Sequence, residues 1–334
     1  MNELDMVKEF RQKIPEPGPE TIVAARATMM AGRASVPASP HQVRPPRIRW
    51  RIAIGVAATA VAIAVALPAI LPGGSPGGAD PAAAAALHRF ARIAARQPAG
   101  PAPQVGQFVY TKSRSLNMGT WVMGNDGSLT FSRLVPVTRQ IWIGVDGSGR
   151  LLETTGTGSF PTPADEAAWE AAGSPDLHEG ETSDDTFLAG PQGLSFLDLS
   201  GLPTDPDALR TAIESRAVEG GPPGDAETFT IVGDLLRETY GSPALRAALY
   251  EVAASLPGVE LIGSTTDPAG RPGIAVAFEN GSARNELIFD PQTAALLGER
   301  TVMTNGDDGI PAGTIVSSAV YLATGIVDAT NDTP

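Results

Sequence analysis

One segment limits how the rest of the chain can be organised. Residues 52–71 are twenty consecutive residues without a charged or amide side chain. A helix of that length is about 30 Å long, which is the hydrocarbon thickness of a bilayer, and it satisfies its own backbone hydrogen bonds. The sequence therefore predicts a transmembrane helix over residues 52–71. A buried helix of a soluble protein is the alternative, although such helices are usually shorter.

The charges that flank this run predict its orientation. Arg44, Arg47, Arg49 and Arg51 stand just before it. Residues 1–51 hold nine Lys and Arg against five Asp and Glu, whereas residues 72–334 hold fifteen against thirty-two. Because positively charged flanks stay in the cytoplasm, we expect a cytoplasmic N-terminus and an extracytoplasmic C-terminal part at the cell membrane.

A cleaved signal peptide is the competing interpretation of the same run. The tripeptide at residues 64–66, Ala-Val-Ala, matches the small-residue pattern of a cleavage site. However, about fifty residues precede the run, and a signal peptide is only about 15–30 residues long in total. The sequence favours an uncleaved, single-pass anchor, with the lipid bilayer as its first partner.

The remaining chain divides by composition into four segments. These are a short cytoplasmic segment at 1–35, a basic Pro- and Arg-rich linker at 36–51, a Gly- and Pro-rich spacer at 72–79, and an extracytoplasmic domain at 80–334. The first segment is too short to fold on its own around a core. It is either a docking peptide for a cytoplasmic regulatory protein or a solvated tail that only sets the topology.

Residues 80–334 follow a strand, helix and turn pattern typical of an α+β domain. Asp80 and Pro81 predict the start of an amphipathic helix. Alternating apolar residues predict strands over 107–155 and again over 259–322, and Asn280-Gly281 is a strong hairpin signal. The middle, 162–256, is predicted to be mainly helical, with Thr204 capping one helix and an irregular acidic connection over 173–203. Together these patterns predict an antiparallel sheet with several helices.

No pattern of residues indicates a catalytic, cofactor or metal site. Gly73-Gly74-Ser75-Pro76-Gly77 matches the hydrolase motif G-x-S-x-G, but the strand and helix that this motif requires are not predicted around it. His41, His88 and His178 have no second His or Cys at ligand spacing, and the chain has no Cys at all. A net charge of −13 argues against nucleic-acid binding.

Three acidic clusters are explained more simply by solvated loops and turns than by catalysis or metal binding. Glu179 and Glu181 beside His178 fit a solvated loop, and Asp184-Asp185 fits the same description. Asn305, Asp307 and Asp308 could offer oxygen ligands to calcium, but the twelve-residue pattern of an EF-hand is missing. We assign no catalytic, cofactor-binding or metal-binding residue and expect a protein that is not an enzyme.

The layout resembles a family of uncharacterised single-pass membrane proteins of actinobacteria. The resemblance rests on the single predicted anchor and on four stretches: LDMVKEFRQKIPEP at 4–17, LPTDPDALRTAI at 202–213, PGVELIGSTTDPAGRPGIAVAF at 257–278 and LIFDPQTAALLGER at 287–300. It implies an extracytoplasmic α+β domain and a loose association with sigma-factor regulation. The outer domain is also similar to the half-barrels of lipoprotein carriers, and this likeness implies a curved antiparallel sheet that faces several helices. The His and Cys pattern of zinc-containing anti-sigma domains is missing.

Two functions are compatible with these observations. The first is a non-enzymatic, membrane-anchored sensor or regulatory protein that binds an envelope ligand outside and meets a regulator through residues 1–35. The second is an envelope carrier or binding protein for an apolar ligand. Leu245, Leu249 and Val252 form the apolar stripe that motivates the carrier, and a plain hydrophobic core also explains this stripe.

Overall fold

The computed structural model describes residues 78–123, 129–188, 199, 201–215, 224–238, 242–306 and 310–334. The predicted transmembrane run at 52–71 and the segments at 1–35, 36–51 and most of 72–79 lie outside these ranges. Within the described ranges, no helix has the length and hydropathy needed to cross a bilayer.

Five helices form within the described residues. They are α1 (Pro81–Ala95), α2 (Pro163–Ala171), α3 (Pro206–Glu214), α4 (Asp225–Glu238) and α5 (Pro243–Ser255). Four of them begin with proline, whose fixed φ suits the first helical turn and whose missing N–H is not needed there. Ahead of α1, the Asp80 carboxylate accepts from the backbone N–H of Ala83 at 3.0 Å, as predicted for a helix cap.

Nine antiparallel strands form one open, curved sheet. They are β1 (Phe108–Met123), β2 (Leu129–Gly144), β3 (Gly149–Thr155), β4 (Thr182–Phe187), β5 (Val259–Thr266), β6 (Pro272–Asn280), β7 (Ala283–Phe289), β8 (Leu296–Met303) and β9 (Ile315–Val327). Their spatial order is β4-β3-β2-β1-β9-β8-β7-β6-β5. The α+β class with an antiparallel sheet is therefore confirmed.

Tight turns join neighbouring strands where the sequence predicted them. Asn280 pairs with Ala283 across the β6–β7 hairpin, and Gly281 between them has φ of +65°, which glycine adopts without strain. Between β2 and β3, the Asp146 carboxylate accepts from the backbone N–H of Ser148 at 3.0 Å. These short connections explain why β2 lies beside β3 and β6 beside β7 in the sheet.

The main hydrophobic core lies between α1, α3, α4 and α5 and one face of β5 to β8. Phe90 of α1 lies 5.3 Å from Phe289 of β7 between ring centroids, and Phe229 of α4 lies 5.8 Å from Phe278 of β6. Each fully buried side chain of this size stabilises the fold by about 1.5–3 kcal/mol. Its largest buried members are Leu87, Phe90, Leu209, Ile213, Phe229, Leu249, Tyr250, Leu256 and Phe289.

A smaller cluster lies on the opposite face, at the other half of the sheet. Tyr110 of β1, Trp142 of β2 and Val327 of β9 are buried there, with Phe108 and Leu152 packed against them. The C-terminal residues after β9 contact this cluster, since Arg150 donates to the carbonyl oxygen of Thr330 at 3.2 Å. The two faces of one sheet thus carry separate apolar clusters.

Three details differ from the sequence-based expectations. Residues 182–187, within the predicted irregular connection, form strand β4 because their backbone pairs with the edge of β3. The cap of α3 is Asp205 rather than Thr204, since the Asp205 carboxylate accepts from Ala208 N at 3.0 Å. Strand β9 also continues beyond residue 322 to Val327, because it pairs with β1 as far as Phe108.

Candidate functional site: a polar groove in the curved sheet

A continuous row of polar side chains crosses five adjacent strands on the face that carries the main core. The strand registers place Ser183 opposite Glu153, Glu153 opposite Arg139, Arg139 opposite Ser113, and Ser113 opposite Tyr321. Directly opposed residues point to the same face of a sheet, and neighbouring strands are about 4.8 Å apart. The row is therefore about 19 Å long.

The helices cover only part of this face, and the uncovered part forms a groove. Over β5 to β7, Leu261, Val276 and Leu287 pack under the helices. Beyond them, residues of β8, β9, β1, β2, β3 and β4 line one cavity of about 490 Å³, and Arg237 of α4 forms its wall. Because six strands border one cavity, the sheet curves around it.

The lining of the groove is mainly hydroxyl, amide and charged. Val137 and Ala319 are its only aliphatic members among the described residues. The hydroxyl and amide side chains on the groove face are Ser113, Ser115, Asn117, Thr155, Ser183, Ser317 and Tyr321. The charged ones are Arg139, Arg237, Glu153, Glu181 and Glu299.

Arg139 and Glu153 form the first charged pair of the groove. Arg139 Nε lies 3.5 Å from Glu153 Oε1, and the two side chains are 42% and 37% exposed. Arg139 Nε is itself buried and has no hydrogen-bond partner. Within the described part of the chain, neither side chain makes a hydrogen bond to another residue. The pair therefore offers both donors and acceptors to a ligand.

The second charged pair lies at the opposite wall. Arg237 approaches Glu299 to 3.5 Å, and the Tyr321 hydroxyl donates to Glu299 Oε1 at 2.9 Å. The guanidinium of Arg237 also lies over the Tyr321 ring, 5.9 Å from its centroid. Burial, and then the negative charge of Glu299, raise the pKa of Tyr321 far above its usual value of 10. Tyr321 is thus a neutral hydrogen-bond donor that holds Glu299 in place.

A short hydrogen-bond chain orients the amide in the groove floor. Asn117 Nδ2 donates to Ser115 Oγ at 3.1 Å, and the Ser317 hydroxyl donates to Asn117 Oδ1 at 3.1 Å. The register places Asn117 opposite Ser317, so the chain links β1 and β9. The floor is consequently ordered before any ligand binds.

The histidines that the sequence raised as candidates lie away from one another. His88 Nδ1 of α1 lies 2.7 Å from Glu251 of α5, and His178 Nδ1 lies 3.0 Å from Glu181. Residue 41, together with the G-x-S-x-G motif at 73–77, falls outside the described residues. No group of three metal-ligating side chains occurs among the residues that the structure describes.

Two of the acidic side chains that the sequence analysis considered help to hold the fold together. Glu179, expected in a solvated loop, pairs with the buried Arg133 and accepts from the backbone N–H of Gly158 at 3.0 Å. Asp184 forms two hydrogen bonds of 2.7 Å with Arg150. Residues 307–308 lie outside the described ranges.

Sequence reasoning missed the groove, although one signal was present. Strand β1 has polar residues at alternate positions, Ser113, Ser115 and Asn117, on the face that continues into the core at β5 to β7. A sheet that is half-buried should place apolar residues there. The polar alternation therefore marks the part of this face that the helices leave open.

No protein-family model matches the chain, and no curated protein matches it either.

Proposed function

We propose that this chain is a non-enzymatic, membrane-anchored sensor or regulatory protein whose extracytoplasmic domain binds a polar envelope ligand in the groove. Residues 52–71 anchor it, with the N-terminus in the cytoplasm. Residues 1–35 contact a cytoplasmic regulatory protein. The apolar run and its arginine-rich flank support the anchor and its orientation.

One observation carries the binding proposal: Arg139 and Glu153 face the groove without a hydrogen-bond partner among the described residues. Charged groups that serve only the fold usually form close, satisfied pairs, as Asp184 does with Arg150. Both side chains line the groove and are more than a third exposed, so the terminal donors of Arg139 and the acceptors of Glu153 are accessible from it. Such unmatched polar groups in a concave site are typical of ligand recognition.

The volume and lining of the groove favour a small polar ligand. At about 490 Å³ it falls within the range of small-molecule sites. Its hydroxyl and amide groups can replace the hydrogen bonds that a polar ligand loses when it leaves water. An apolar ligand would instead strip water from these groups without compensation.

An envelope carrier for an apolar ligand is the second proposal. The half-barrel likeness to lipoprotein carriers supports it, because the helices lie in the hollow of a curved antiparallel sheet. The apolar stripe that motivated the carrier gives it little support, because Leu245, Leu249 and Val252 are buried in the main core and do not line the groove. The polar lining therefore favours the first proposal.

Native mass spectrometry of the full chain, released from its membrane in detergent, tests the binding proposal. We expect a small polar molecule to remain bound. In the variant Ser115→Phe, the phenylalanine ring fills the groove floor, and we expect the bound molecule to be lost. The variant Arg114→Phe changes a residue on the opposite face of the same strand, and we expect it to keep the molecule. A bound lipid would favour the carrier. No retained molecule, and no stabilisation by any fraction of an envelope extract, would contradict both.

Two further experiments test the membrane and regulatory parts. Protease added to intact cells should digest the acidic C-terminal domain and leave an anchored fragment; protection of that domain would contradict the orientation. Crosslinking in cells should recover a cytoplasmic regulator with the full chain and lose it after deletion of residues 1–35. Recovery that is unchanged by this deletion would contradict the role of that segment.

A further inference from the structure

We infer that Arg139 and Glu153 recognise the α-carboxylate and α-ammonium of a free amino acid with a polar side chain. This inference rests on the proposed binding function of the groove. It adds the chemical class of the ligand and the two residues that select it.

The geometry of the pair matches the head of an amino acid. A guanidinium presents parallel N–H groups that bind a carboxylate with two hydrogen bonds, and a carboxylate accepts strongly from an ammonium. In a free amino acid, the carboxylate and the ammonium are attached to one carbon atom. Arg139 and Glu153 are likewise adjacent, on directly opposed positions of β2 and β3 and 3.5 Å apart. The protein pair is therefore the charge-reversed counterpart of the ligand head.

Hydroxyl groups continue the row on either side of this pair. Ser183 is opposed to Glu153, and Ser113 is opposed to Arg139. Neither serine side chain has a hydrogen bond to another described residue. Each can donate to the ligand carboxylate or accept from its ammonium, so four consecutive strands contribute to one polar head site.

The charges of the whole groove favour a ligand that carries both signs. Two arginines, Arg139 and Arg237, face three carboxylates, Glu153, Glu181 and Glu299. A purely anionic ligand meets repulsion from the carboxylates, and a purely cationic ligand meets repulsion from the arginines. A zwitterion can place its carboxylate beside an arginine and its ammonium beside a carboxylate, so it is attracted by both.

The remaining lining residues of the groove determine which kind of ligand side chain can extend from the head. Asn117, Ser115 and Ser317 form its ordered, polar floor. Tyr321 is the one aromatic lining residue among those described, and Arg237 lies over one face of its ring, so that face is not open to stacking by a sugar. The floor therefore suits a polar side chain that extends from the head toward Tyr321.

Equilibrium dialysis of the full chain in detergent micelles against an equimolar mixture of the twenty proteinogenic amino acids tests the inference. The chain is first stripped of bound molecules, and the amino acids that it retains are identified by mass spectrometry. The retained amino acid is then compared with its N-acetyl derivative and its α-carboxamide. We expect each derivative to bind at least about tenfold more weakly, because each removes one charge of the head.

Matched variants connect the binding to the pair. Arg139→Met and Glu153→Gln should each weaken binding by at least about tenfold, and Arg139→Lys should recover part of the loss, because lysine restores the charge without the fork. Arg114→Met, on the opposite face of β1, should bind like the wild type. Circular dichroism confirms that each variant is folded.

The outcomes separate this inference from the proposed function. Retention of no amino acid, equal binding of the blocked derivatives, or wild-type affinity in Arg139→Met and Glu153→Gln would overturn the inference. The chain isolated from its membrane could instead hold a molecule that is not an amino acid. If Ser115→Phe caused the loss of that molecule, the groove would remain a binding site. If no molecule were found by either experiment, the proposed function would fail as well.

Discussion

The indole Nε1 of Trp142 donates a hydrogen bond of 2.7 Å to the carbonyl oxygen of Asp332, 190 residues further along the chain. This bond attaches the C-terminal residues to the smaller apolar cluster on the face opposite the groove. Arg150 supports the attachment from β3 through its bond to Thr330. The tail therefore lies against the sheet at Trp142 and Arg150.

Substitution of Trp142 by phenylalanine should lower the free energy of unfolding. The change keeps an aromatic ring but removes the hydrogen bond and some buried surface, so we expect a loss of about 1–2 kcal/mol. Urea denaturation followed by circular dichroism measures it. Trp121→Phe is the matched control, because Trp121 stacks on Phe131 and its indole makes no hydrogen bond to another described residue. Equal losses in the two variants would show that the bond to Asp332 contributes nothing.

Glu286 of β7 is a fully buried carboxylate held by two arginines. Arg284 Nη2 donates to its Oε1 at 2.7 Å, and Arg300 Nε donates to its Oε2 at 2.7 Å. The Glu286 side chain is 0% exposed, whereas those of Arg284 and Arg300 are 30% and 20% exposed. The arrangement joins two alternate positions of β7 to the position of β8 directly opposite Glu286, and it depends on the charge at its centre.

Replacement of Glu286 by glutamine should destabilise the domain by about 3 kcal/mol. It leaves two partly buried arginines without the charge that compensates them, and their partial exposure keeps the loss at the lower end of the range for broken buried pairs. Glu279→Gln, at an exposed position of β6, should change stability by less than about 0.5 kcal/mol. Chemical denaturation of both variants decides the matter, and a loss below about 1 kcal/mol for Glu286→Gln would contradict the structural role.

His178 should titrate above its ordinary value of 6.5. The hydrogen bond and the charge of Glu181 raise the pKa of His178, and the charge of Asp176 adds to this. Since the pKa is raised in the folded state, the stabilisation is complete below pH 6.5 and is lost as the pH rises through the folded-state value. NMR titration of the imidazole protons should show a lower pKa in Glu181→Gln and no change in Glu170→Gln, an exposed substitution on α2. An unchanged pKa in Glu181→Gln would refute the contact.

The parts of the fold that could be predicted from the sequence depend on local signals. Asp80 and Pro81 mark the start of α1 because the cap and the first turn involve only neighbouring residues. Asn280 and Gly281 likewise determine a hairpin without help from the rest of the chain. Strand β4 lacks such a signal: its side chains are almost all exposed, and only backbone pairing with β3 makes it a strand.

The groove could not be predicted for a different reason. Its two walls come from halves of the sheet that are far apart in sequence, and the pairing of β1 with β9 brings Ser113 opposite Tyr321. Within the β2–β3 hairpin alone, Arg139 and Glu153 look like an ordinary solvated pair. Their position inside a hollow follows from the curvature of the sheet and from the edge of the helical layer at Arg237.

Alkaline titration should reveal tyrosines that remain protonated while the domain is folded. Burial raises the pKa values of Tyr110, Tyr250 and Tyr321 above 10, and for Tyr250 and Tyr321 the shift is large. Tyr250 is fully buried and donates to the carbonyl oxygen of Ala294, while Tyr321 donates to Glu299. The folded state therefore keeps protons that the unfolded chain releases above pH 10, so stability is complete below pH 10 and falls as the pH rises beyond it.

Tyrosinate absorbance followed together with circular dichroism measures this behaviour. In urea, all four tyrosines of the chain should ionise near pH 10. In the native chain, Tyr250 and Tyr321 should ionise only as the dichroism is lost, and Tyr250→Phe or Tyr321→Phe should each remove one equivalent from that delayed step. Complete ionisation near pH 10 with the dichroism intact would mean that water reaches both hydroxyls, and the ordered wall of the groove around Glu299 would then have to be abandoned.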